Sequence, residues 1–388
     1  MERTNFDKQH FDVICFSHLR WDFVYQRPQH LMSRFAKGHR VFVFEEPVFA
    51  DEPGHLDISR RSDDLFVAVP HLQHGTTADE IPRQQRAFLE GLINERNIEN
   101  YLAWYYTPMM LEFSRGLHPM AVIYDCMDQL SAFKDAPPEL IDREKELLRV
   151  ADLVFTGGQS LYEAKRGSHP AVYAFPSSID VPHFAKALSA AEDPADMASI
   201  PHPRIGYVGV IDERMDLGLL GEIAAKKPEW HFVMIGPVVK IDENGLPRRS
   251  NIHYLGGKDY KELPNYIGRW DVAMMPFAIN ESTRYISPTK TPEYLAAGRP
   301  VVSTPIRDVV HPYGEQGLVY IAATADEFIK GIQAALDGGP EERKEKADAF
   351  LSNMSWDRTY AEMSRLIGAA IETRQTGAAL SAKTAGYS

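Results

Sequence analysis

The chain has few cysteines and a deficit of positive charge. Its 388 residues include two cysteines, Cys15 and Cys126, each within an apolar run, and 42 Lys and Arg against 54 Asp and Glu, which gives a formal net charge of −12. Two thiols in apolar runs are typical of buried cysteines in a reducing compartment rather than of a disulfide scaffold. The acidic excess repels nucleic acid on average, so we expect no nucleic-acid partner.

Several motifs are also missing. The sequence has no Gly-x-Gly-x-x-Gly fingerprint, no Gly-x-x-x-x-Gly-Lys-Ser/Thr loop, and neither His-Glu-x-x-His nor paired Cys-x-x-Cys. These absences weigh against a nicotinamide or flavin enzyme, exclude a P-loop and make a zinc site improbable. No run approaches the roughly 18 apolar residues needed to span a membrane, and residues 1–10 hold no apolar secretory core. We therefore expect a cytoplasmic protein with at most peripheral membrane contact at the inner face.

The chain does contain an alternation of short apolar runs with amphipathic helical segments such as Pro28–Lys37 and Pro138–Arg149. Strands separated by helices predict parallel sheets with right-handed crossovers. The aperiodic stretch Lys186–Pro203 divides two such halves and predicts a linker. We therefore expect an α/β protein of two Rossmann-like, doubly wound domains that face each other across a cleft.

The predicted first domain covers residues 1–190 and the second covers residues 200–352. A helix at 355–373 is expected to pack back on the first domain, and a flexible tail is expected at 374–388. The predicted strands are Phe11–Phe16, Arg40–Phe44, Leu65–Val69, Tyr101–Tyr106, Ala121–Asp125, Asp152–Thr156 and Val172–Phe175, then Arg204–Val210, His231–Ile235, Asn251–Leu255, Asp271–Met275, Pro300–Ser303 and Leu318–Ile321.

The segment that begins at Ser287 is the strongest candidate for ligand binding, because open parallel sheets bind ligands beyond the carboxyl ends of their strands. Ser287 is a natural N-cap and Pro288 suits the first helical position. Free N–H groups around Thr289 would suit a phosphate, and Lys290 would add a positive charge. Glu293, one turn later, can accept both hydroxyls of a ribose. The alternative is a surface helix with an exposed lysine and glutamate.

Three further residues of the second half are candidate ligand contacts. Gly209 ends a predicted strand and lets the backbone approach a ligand, and Gly236 closes the next strand in the same manner. Arg214, in the turn after Gly209, can reach a diphosphate. The alternative is an ordinary strand-to-helix turn with a solvated arginine.

Two residues of the first half are candidate catalytic groups. His18 lies in a polar and aromatic loop after the first strand, where it can orient or deprotonate a hydroxyl. Asp128 follows the strand Ala121–Asp125 and can act as a general base. A histidine with a purely structural hydrogen bond is the alternative for His18. Asp125 and Asp128 together are too few carboxylates to predict a metal site.

The sequence resembles the retaining, nucleotide-sugar-dependent glycosyltransferases of the GT-B fold, family 4 or group 1 type. The resemblance rests on Ser287-Pro-Thr-Lys-x-x-Glu-Tyr-Leu-Ala-Ala-Gly-x-Pro-Val-Val, on Tyr207-Val-Gly, and on Trp21 with Gln26-Arg-Pro-Gln-His. It implies that the second domain binds the donor, that Glu293 holds the ribose, and that the turn from Ser287 to Lys290 cradles the diphosphate.

This chain departs from the family pattern at two positions. The family's glutamate eight positions before Glu293 is Tyr285 here, and its arginine after the strand glycine is Val210. We expect Arg214 to take over phosphate binding from that missing arginine.

We therefore expect an enzyme that moves a sugar from a nucleotide diphosphate sugar, with UDP preferred, to a hydroxyl of a glycan or lipid-linked acceptor in polysaccharide or glycoconjugate synthesis. Cationic side chains would stabilise the leaving diphosphate, so neither a metal nor a cofactor other than the donor is expected. If the reaction inverts the anomeric carbon, Asp128 is the base; if it retains configuration, the leaving phosphate can serve. The alternatives are a UDP-sugar 2-epimerase and a non-catalytic sugar-nucleotide-binding protein.

Overall fold

The first of two sheets among the described residues contains nine strands. A computed structural model describes residues 10–338 and 340–385. The strands of this sheet are β1 (Asp12–Ser17), β2 (Val41–Glu45), β3 (Val48–Ala50), β4 (His55–Ser62), β5 (Leu65–Gln73), β6 (Tyr101–Tyr105), β7 (Ala121–Cys126), β8 (Leu153–Thr156) and β9 (Val172–Ala174). Their order is β3-β5-β2-β1-β6-β7-β8-β9, and β4 pairs antiparallel with β5 while the other pairs are parallel.

The second sheet contains six strands and is parallel throughout. The strands are β10 (Arg204–Val208), β11 (His231–Ile235), β12 (Ile252–Tyr254), β13 (Val272–Met275), β14 (Val301–Ser303) and β15 (Val319–Ile321). Their order, β12-β11-β10-β13-β14-β15, is that of a Rossmann sheet, in which the order reverses beside the first strand. The predicted pair of doubly wound domains is therefore confirmed.

Helices cover both sheets. They are α1 (Arg27–Phe35), α2 (Glu80–Glu95), α3 (Leu111–Ser114), α4 (Leu140–Val150), α5 (Gln159–Lys165), α6 (Val181–Phe184), α7 (Leu217–Lys226), α8 (Leu263–Ile267), α9 (Lys290–Ala296), α10 (Arg307–Val309), α11 (Ala325–Asp337), α12 (Pro340–Leu351) and α13 (Trp356–Ala385). Within the described residues, no helix has both the length and the apolar character that a membrane crossing requires.

Every predicted strand is present. A strand that is buried on both faces consists of consecutive apolar residues, so it can be recognised in the sequence. All residues of β1, β2 and β6 are buried, for example. The sequence prediction missed β3 and β4, which lie at the edge of the first sheet with largely exposed side chains, and it missed the helix α2. Exposed edge strands lack the apolar run that identifies a buried one.

The terminal helix α13 completes the core of the first domain. Trp356, which is 2% exposed, belongs to the cluster formed by β1, β2 and β6, together with Met363, Ile367 and Ile371. Its indole stacks on the His30 ring with centroids 4.6 Å apart. The helix continues to Ala385, so residues 374–385 of the expected tail are helical, and 386–388 lie outside the described residues. The flexibility of this tail stays a prediction. Alanine, frequent in this stretch, has the highest helix propensity.

The chain enters the second domain earlier than the sequence suggests. Ile179, Phe184 and Met197 all pack in the core of the second domain. Arg204, at the start of β10, holds the Asp193 carboxylate in a two-point ion pair at 2.8 and 2.9 Å. The boundary expected at residue 190 therefore lies near Ile179. The predicted linker Lys186–Pro203 packs on the second domain, because apolar and charged side chains within it have partners there.

A buried ion pair fixes the loops above the first sheet. The Arg27 guanidinium donates to Asp125 at 2.8 and 3.0 Å, and these side chains are 1% and 0% exposed. Arg27 also donates to the Phe175 carbonyl at 2.7 Å. The start of α1 is thereby tied to the carboxyl ends of β7 and β9, where the first domain faces the cleft.

Replacing Asp125 by Ala should destabilise the first domain by about 3–5 kcal/mol, because the Arg27 guanidinium would remain buried without its carboxylate. Chemical denaturation followed by circular dichroism measures the loss. The matched control is Arg60→Ala, which breaks the exposed pair with Asp63 and should leave the unfolding midpoint unchanged. Equal midpoints for the two variants would contradict the structural role of the Arg27–Asp125 pair.

Candidate active site

Two glycines, Gly209 and Gly236, form a surface of the second domain at the carboxyl ends of β10 and β11. We call this surface the glycine floor. Gly209 and Gly236 have φ values of 146° and 145°, which side-chain-bearing residues rarely adopt. A Cβ atom on Gly236 would overlap the Gly209 carbonyl, and one on Gly209 would overlap the Lys290 side chain. Glycine at both positions therefore lets the two turns touch and leaves room for the lysine above them.

Lys290, the first residue of α9, lies over this floor. Its ammonium is 5.7 Å from the centre of the Tyr207 ring, and within the described part of the chain it forms no hydrogen bond or ion pair. Burial lowers the pKa of Lys290, while the nearby carboxylate of Glu293 acts in the opposite direction. An ammonium in this state gains from any anion that enters the cleft.

Arg214 reaches the same region but already has a partner. Its guanidinium binds the Asp212 carboxylate at 2.6 and 3.0 Å and lies 5.6 Å from the centre of the Phe133 ring, which belongs to the first domain. A diphosphate would have to compete with Asp212 for this arginine. Phosphate binding by Arg214 therefore stays a prediction that requires a change of partner.

Asp128 faces these cations from the first domain. Burial raises the pKa of Asp128 to about 6, although the positive charges of Arg214, Arg27 and Lys290 act to lower it. The carboxylate is thus electrostatically coupled to Lys290 and Arg214 of the opposite domain. The structure brings together the predicted base and two of the predicted donor contacts, which are more than 80 residues apart in sequence.

His18 faces a different part of the second domain. Burial lowers the pKa of His18 to about 4, and the charge of Lys240, in the loop after β11, acts in the same direction. The imidazole is therefore neutral at pH 7. Its Nδ1 atom is buried and lacks a hydrogen-bond partner among the described residues, so it is free to accept a hydrogen bond from a ligand hydroxyl.

Glu293 lies on α9 one turn after Lys290 and is half-buried. Burial raises the pKa of Glu293, while Lys290 and a hydrogen bond with the Thr289 side chain lower it. The buried Tyr260 hydroxyl is close enough to feel the charge of Glu293 and has no hydrogen-bond partner among residues 10–338 and 340–385.

The start of α9 differs from the prediction. The helix begins at Lys290 with Thr289 at the N-cap position and no side-chain cap, so Ser287 does not cap it. Ser287 instead lies against Gly158 of the first domain, where a Cβ atom on the glycine would be 2.7 Å from the Ser287 Cβ. The N-cap expected at Ser287 is therefore wrong, while the phosphate cradle expected from Ser287 to Lys290 stays a prediction.

Some residues at the domain boundary escaped the sequence prediction. Asp308, Gly158 and Lys240 all lie where the domains meet, and a single sequence does not show which loops will meet. The adjacent pair Gly157-Gly158 after β8 was a usable signal, since two glycines at a strand end permit close backbone contacts. No group of three or more His, Cys, Asp or Glu side chains is arranged to hold a metal in the described ranges.

Comparison with known proteins shows which family the second domain resembles. Residues 202–338, nearly all of the second domain, match the family model described as glycosyl transferases group 1. The chain is 24% identical over 295 residues to a putative teichuronic acid biosynthesis glycosyltransferase, TuaH, of Bacillus subtilis (strain 168), and this match covers 70% of this chain and 73% of that protein.

Solved structures share the two-domain fold. The structure described as trehalose-6-phosphate from E. coli bound with UDP-2-fluoro glucose superposes with a TM-score of 0.68 at 13% identity, over 92% of this chain and 99% of that one. Sucrose-phosphate synthase from Thermosynechococcus elongatus gives 0.67 at 16% identity, over 95% and 100%. The solved structures confirm the GT-B fold. The family model and the Bacillus subtilis relative confirm the predicted resemblance to group 1 glycosyltransferases and do not favour the epimerase or the non-catalytic alternative.

We predict that UDP binds over the Gly209 and Gly236 turns and that replacing Gly209 by Ala weakens this binding by about tenfold or more, because the new methyl group would displace Lys290 and strain the backbone at positive φ. Isothermal titration calorimetry measures the affinity. Gly245→Ala is the matched control, since a Cβ atom there meets nothing within 4 Å. Unchanged affinity in Gly209→Ala would show that Lys290 does not contact the nucleotide.

Proposed function

We propose that the chain transfers a sugar from a UDP-sugar to a hydroxyl group of a glycan or lipid-linked acceptor. The observation that carries this proposal is the placement of groups across the cleft: Lys290 lies over Gly209 and Arg214 lies 5.6 Å from the Phe133 ring of the first domain. Asp128 of the first domain is close enough to both cations for their charges to act on its pKa. Such a transfer needs a carboxylate that can take the proton of the acceptor hydroxyl or orient that hydroxyl, and cations that can stabilise a leaving diphosphate.

The donor half of the proposal rests on Lys290 and the glycine floor. As the glycosidic bond breaks, negative charge accumulates on the diphosphate, and an ammonium already held in place stabilises it by about 3–4 kcal/mol. Arg214 adds a second cation once the diphosphate replaces Asp212 as its partner. Glu293 accepts the ribose hydroxyls. With these cations in place, the scheme uses no metal and no cofactor besides the donor.

The preference for UDP has support from the fold relatives. A structural neighbour from E. coli is described as bound with UDP-2-fluoro glucose, and another from Burkholderia xenovorans is described as UDP-forming, in complex with glucose-6-phosphate. The name of the Bacillus subtilis relative points to polymer synthesis. We therefore favour an acceptor that belongs to a growing polysaccharide or glycoconjugate, in the cytoplasm.

The acceptor half rests on Asp128 and His18. In an inverting reaction, Asp128 removes the proton of the acceptor hydroxyl as that oxygen attacks. In a retaining reaction, the leaving phosphate takes the proton and Asp128 orients the acceptor. The neutral His18 accepts a hydrogen bond from a second hydroxyl through Nδ1 in either case. Peripheral membrane contact of the first domain, which exposes the apolar rings of Phe23 and Phe49, would bring a lipid-linked acceptor to these groups.

Replacing Asp128 by Asn should lower kcat by about 10²–10⁴-fold if Asp128 is the base, with UDP affinity retained. For the native enzyme, log kcat/KM should rise with pH up to about 6 and then level off, because the pKa of Asp128 is raised and only the ionised form accepts a proton. Transfer assays from about pH 4.5 to about pH 8 measure both. A residual limb near pH 6 in the Asn variant would assign that pKa to another group.

UDP should raise the melting temperature more than GDP, ADP or dTDP at equal concentration, because a ligand that binds the native state stabilises it in proportion to its occupancy. Thermal-shift measurements on the full chain, followed by incubation with UDP-sugars alone, test this. An epimerised sugar nucleotide would favour the epimerase, and binding without turnover over an acceptor panel would favour a non-catalytic protein.

A further inference from the structure

Helix α5 of the first domain is capped by a residue of the second domain. The N-cap position of α5 is Gly158, which has no side chain to satisfy the free N–H groups of the first turn. The Asp308 carboxylate, on α10 of the second domain, accepts a hydrogen bond from the Ser160 N–H at 3.0 Å. The carboxylate also suits the positive end of the helix. The cap therefore exists when the two domains are together.

The contact leaves no space for a side chain on Gly158. A Cβ atom there would overlap Oδ2 of Asp308 and lie 2.7 Å from the Cβ of Ser287. Gly158 has an extended backbone with φ of −165°, so glycine is needed here for its small size rather than for its conformational freedom. The two domains are therefore tightly packed against each other at Gly158.

Asp308 is buried, and among the residues that the structure describes it lacks a close counter-ion. Its side chain is 4% exposed, and its nearest cation, Arg307, approaches to 3.4 Å. Burial raises the pKa of Asp308, which means that the site disfavours the charge. An apolar side chain would fill the same space without this cost. The Asp308 carboxylate has hydrogen-bond donors at this position when the N–H groups of α5 lie next to it. The contact between Asp308 and α5 is therefore specific to one arrangement of the domains.

A second ion pair lies beside the cap. Arg307 binds both carboxylate oxygens of Glu163 on α5 at 2.7 Å, and the two side chains are about 40% exposed. Solvent weakens such a pair. It offers a control at the same interface, because it joins the same two helices outside the buried contact.

The cap is connected to both halves of the candidate active site. Gly157, next to Gly158, packs so tightly on Met127 that a Cβ atom would overlap the Met127 carbonyl, and Met127 precedes Asp128. On the other side, Gly158 contacts Ser287, three residues before Lys290. A short stretch of the first domain thus contacts the loop of the predicted base and the segment of the predicted donor lysine.

We propose that Asp308 is a positioning residue for sugar transfer: by capping α5 across the cleft, it fixes Asp128 opposite Lys290 in the closed arrangement. The proposal rests on the function proposed above. In the open arrangement, Asp308 is hydrated, α5 is uncapped, and the loop with Asp128 is free to move away from the donor. Closure and alignment of the reacting groups are then one event.

The test compares Asp308→Ala with the control Glu163→Gln in the full chain, at a temperature well below both melting points. Asp308→Ala should lower kcat for transfer by about 10- to 100-fold with a smaller change in the donor KM, since misplacement by about 1 Å has that effect. It should also raise the ratio of donor hydrolysis to transfer, because an open cleft admits water. Glu163→Gln should stay within about twofold of the native enzyme.

Asp308→Asn is the conservative variant. It keeps an oxygen that can accept the Ser160 N–H, so it should recover most of the transfer activity and the native hydrolysis ratio. A purely structural role would instead reduce transfer and hydrolysis together, in proportion to the folded fraction. An unchanged ratio in Asp308→Ala, or an equal effect in Glu163→Gln, would overturn the proposal.

Small-angle X-ray scattering separates this proposal from the function on which it rests. The radius of gyration of Asp308→Ala, measured with UDP present, should exceed that of the native chain, because the domains separate. An unchanged radius would overturn the cap as a closing contact whatever the activity. A native chain that closes but transfers no sugar from any UDP-sugar would instead overturn the proposed function.

Discussion

The candidate site depends on an ammonium that has no carboxylate partner within the described residues. Lys290 lies over Gly209, whose missing side chain gives it room, and burial already lowers the pKa of Lys290. Were a carboxylate to pair with it directly, an incoming diphosphate would have to break that pair, as it must at Arg214. In the proposed reaction, Lys290 is ready to bind the diphosphate of the donor, and Arg214 binds it afterwards, once it leaves Asp212.

Each domain contributes charge of one sign to the proposed reaction centre. The first domain presents the Asp128 carboxylate and the second presents the cations, so neither domain alone contains the proposed reaction centre. The buried Arg27–Asp125 pair holds the loops of the first domain, and the Asp308 contact relates them to the second. Rigid loops and a specific contact between domains are what a transfer that must exclude water requires.

The fold could be predicted from the sequence because buried parallel strands are written as apolar runs, and every predicted strand is present. The second-domain glycines were also predictable, since glycine at a strand end indicates a close backbone approach. The start of α9 was not, because Ser287 has the chemistry of an N-cap but packs against Gly158. Nor could Asp308 be identified, because its partner lies about 150 residues away across a cleft that local patterns do not encode. The pairing of Arg214 with Asp212 was missed although the two are near neighbours, since a sequence does not reveal which charges neutralise each other.

The stacking of Trp356 on His30 has a consequence for how the chain is made. The core of the first domain is incomplete until α13 packs against it, and that helix is translated after the whole second domain. During synthesis, the first domain therefore exposes part of its apolar core while the second domain is translated and folds. A segment that follows the second domain in the chain therefore completes the core of the first domain, which makes nascent chains that stop short of Trp356 prone to aggregation.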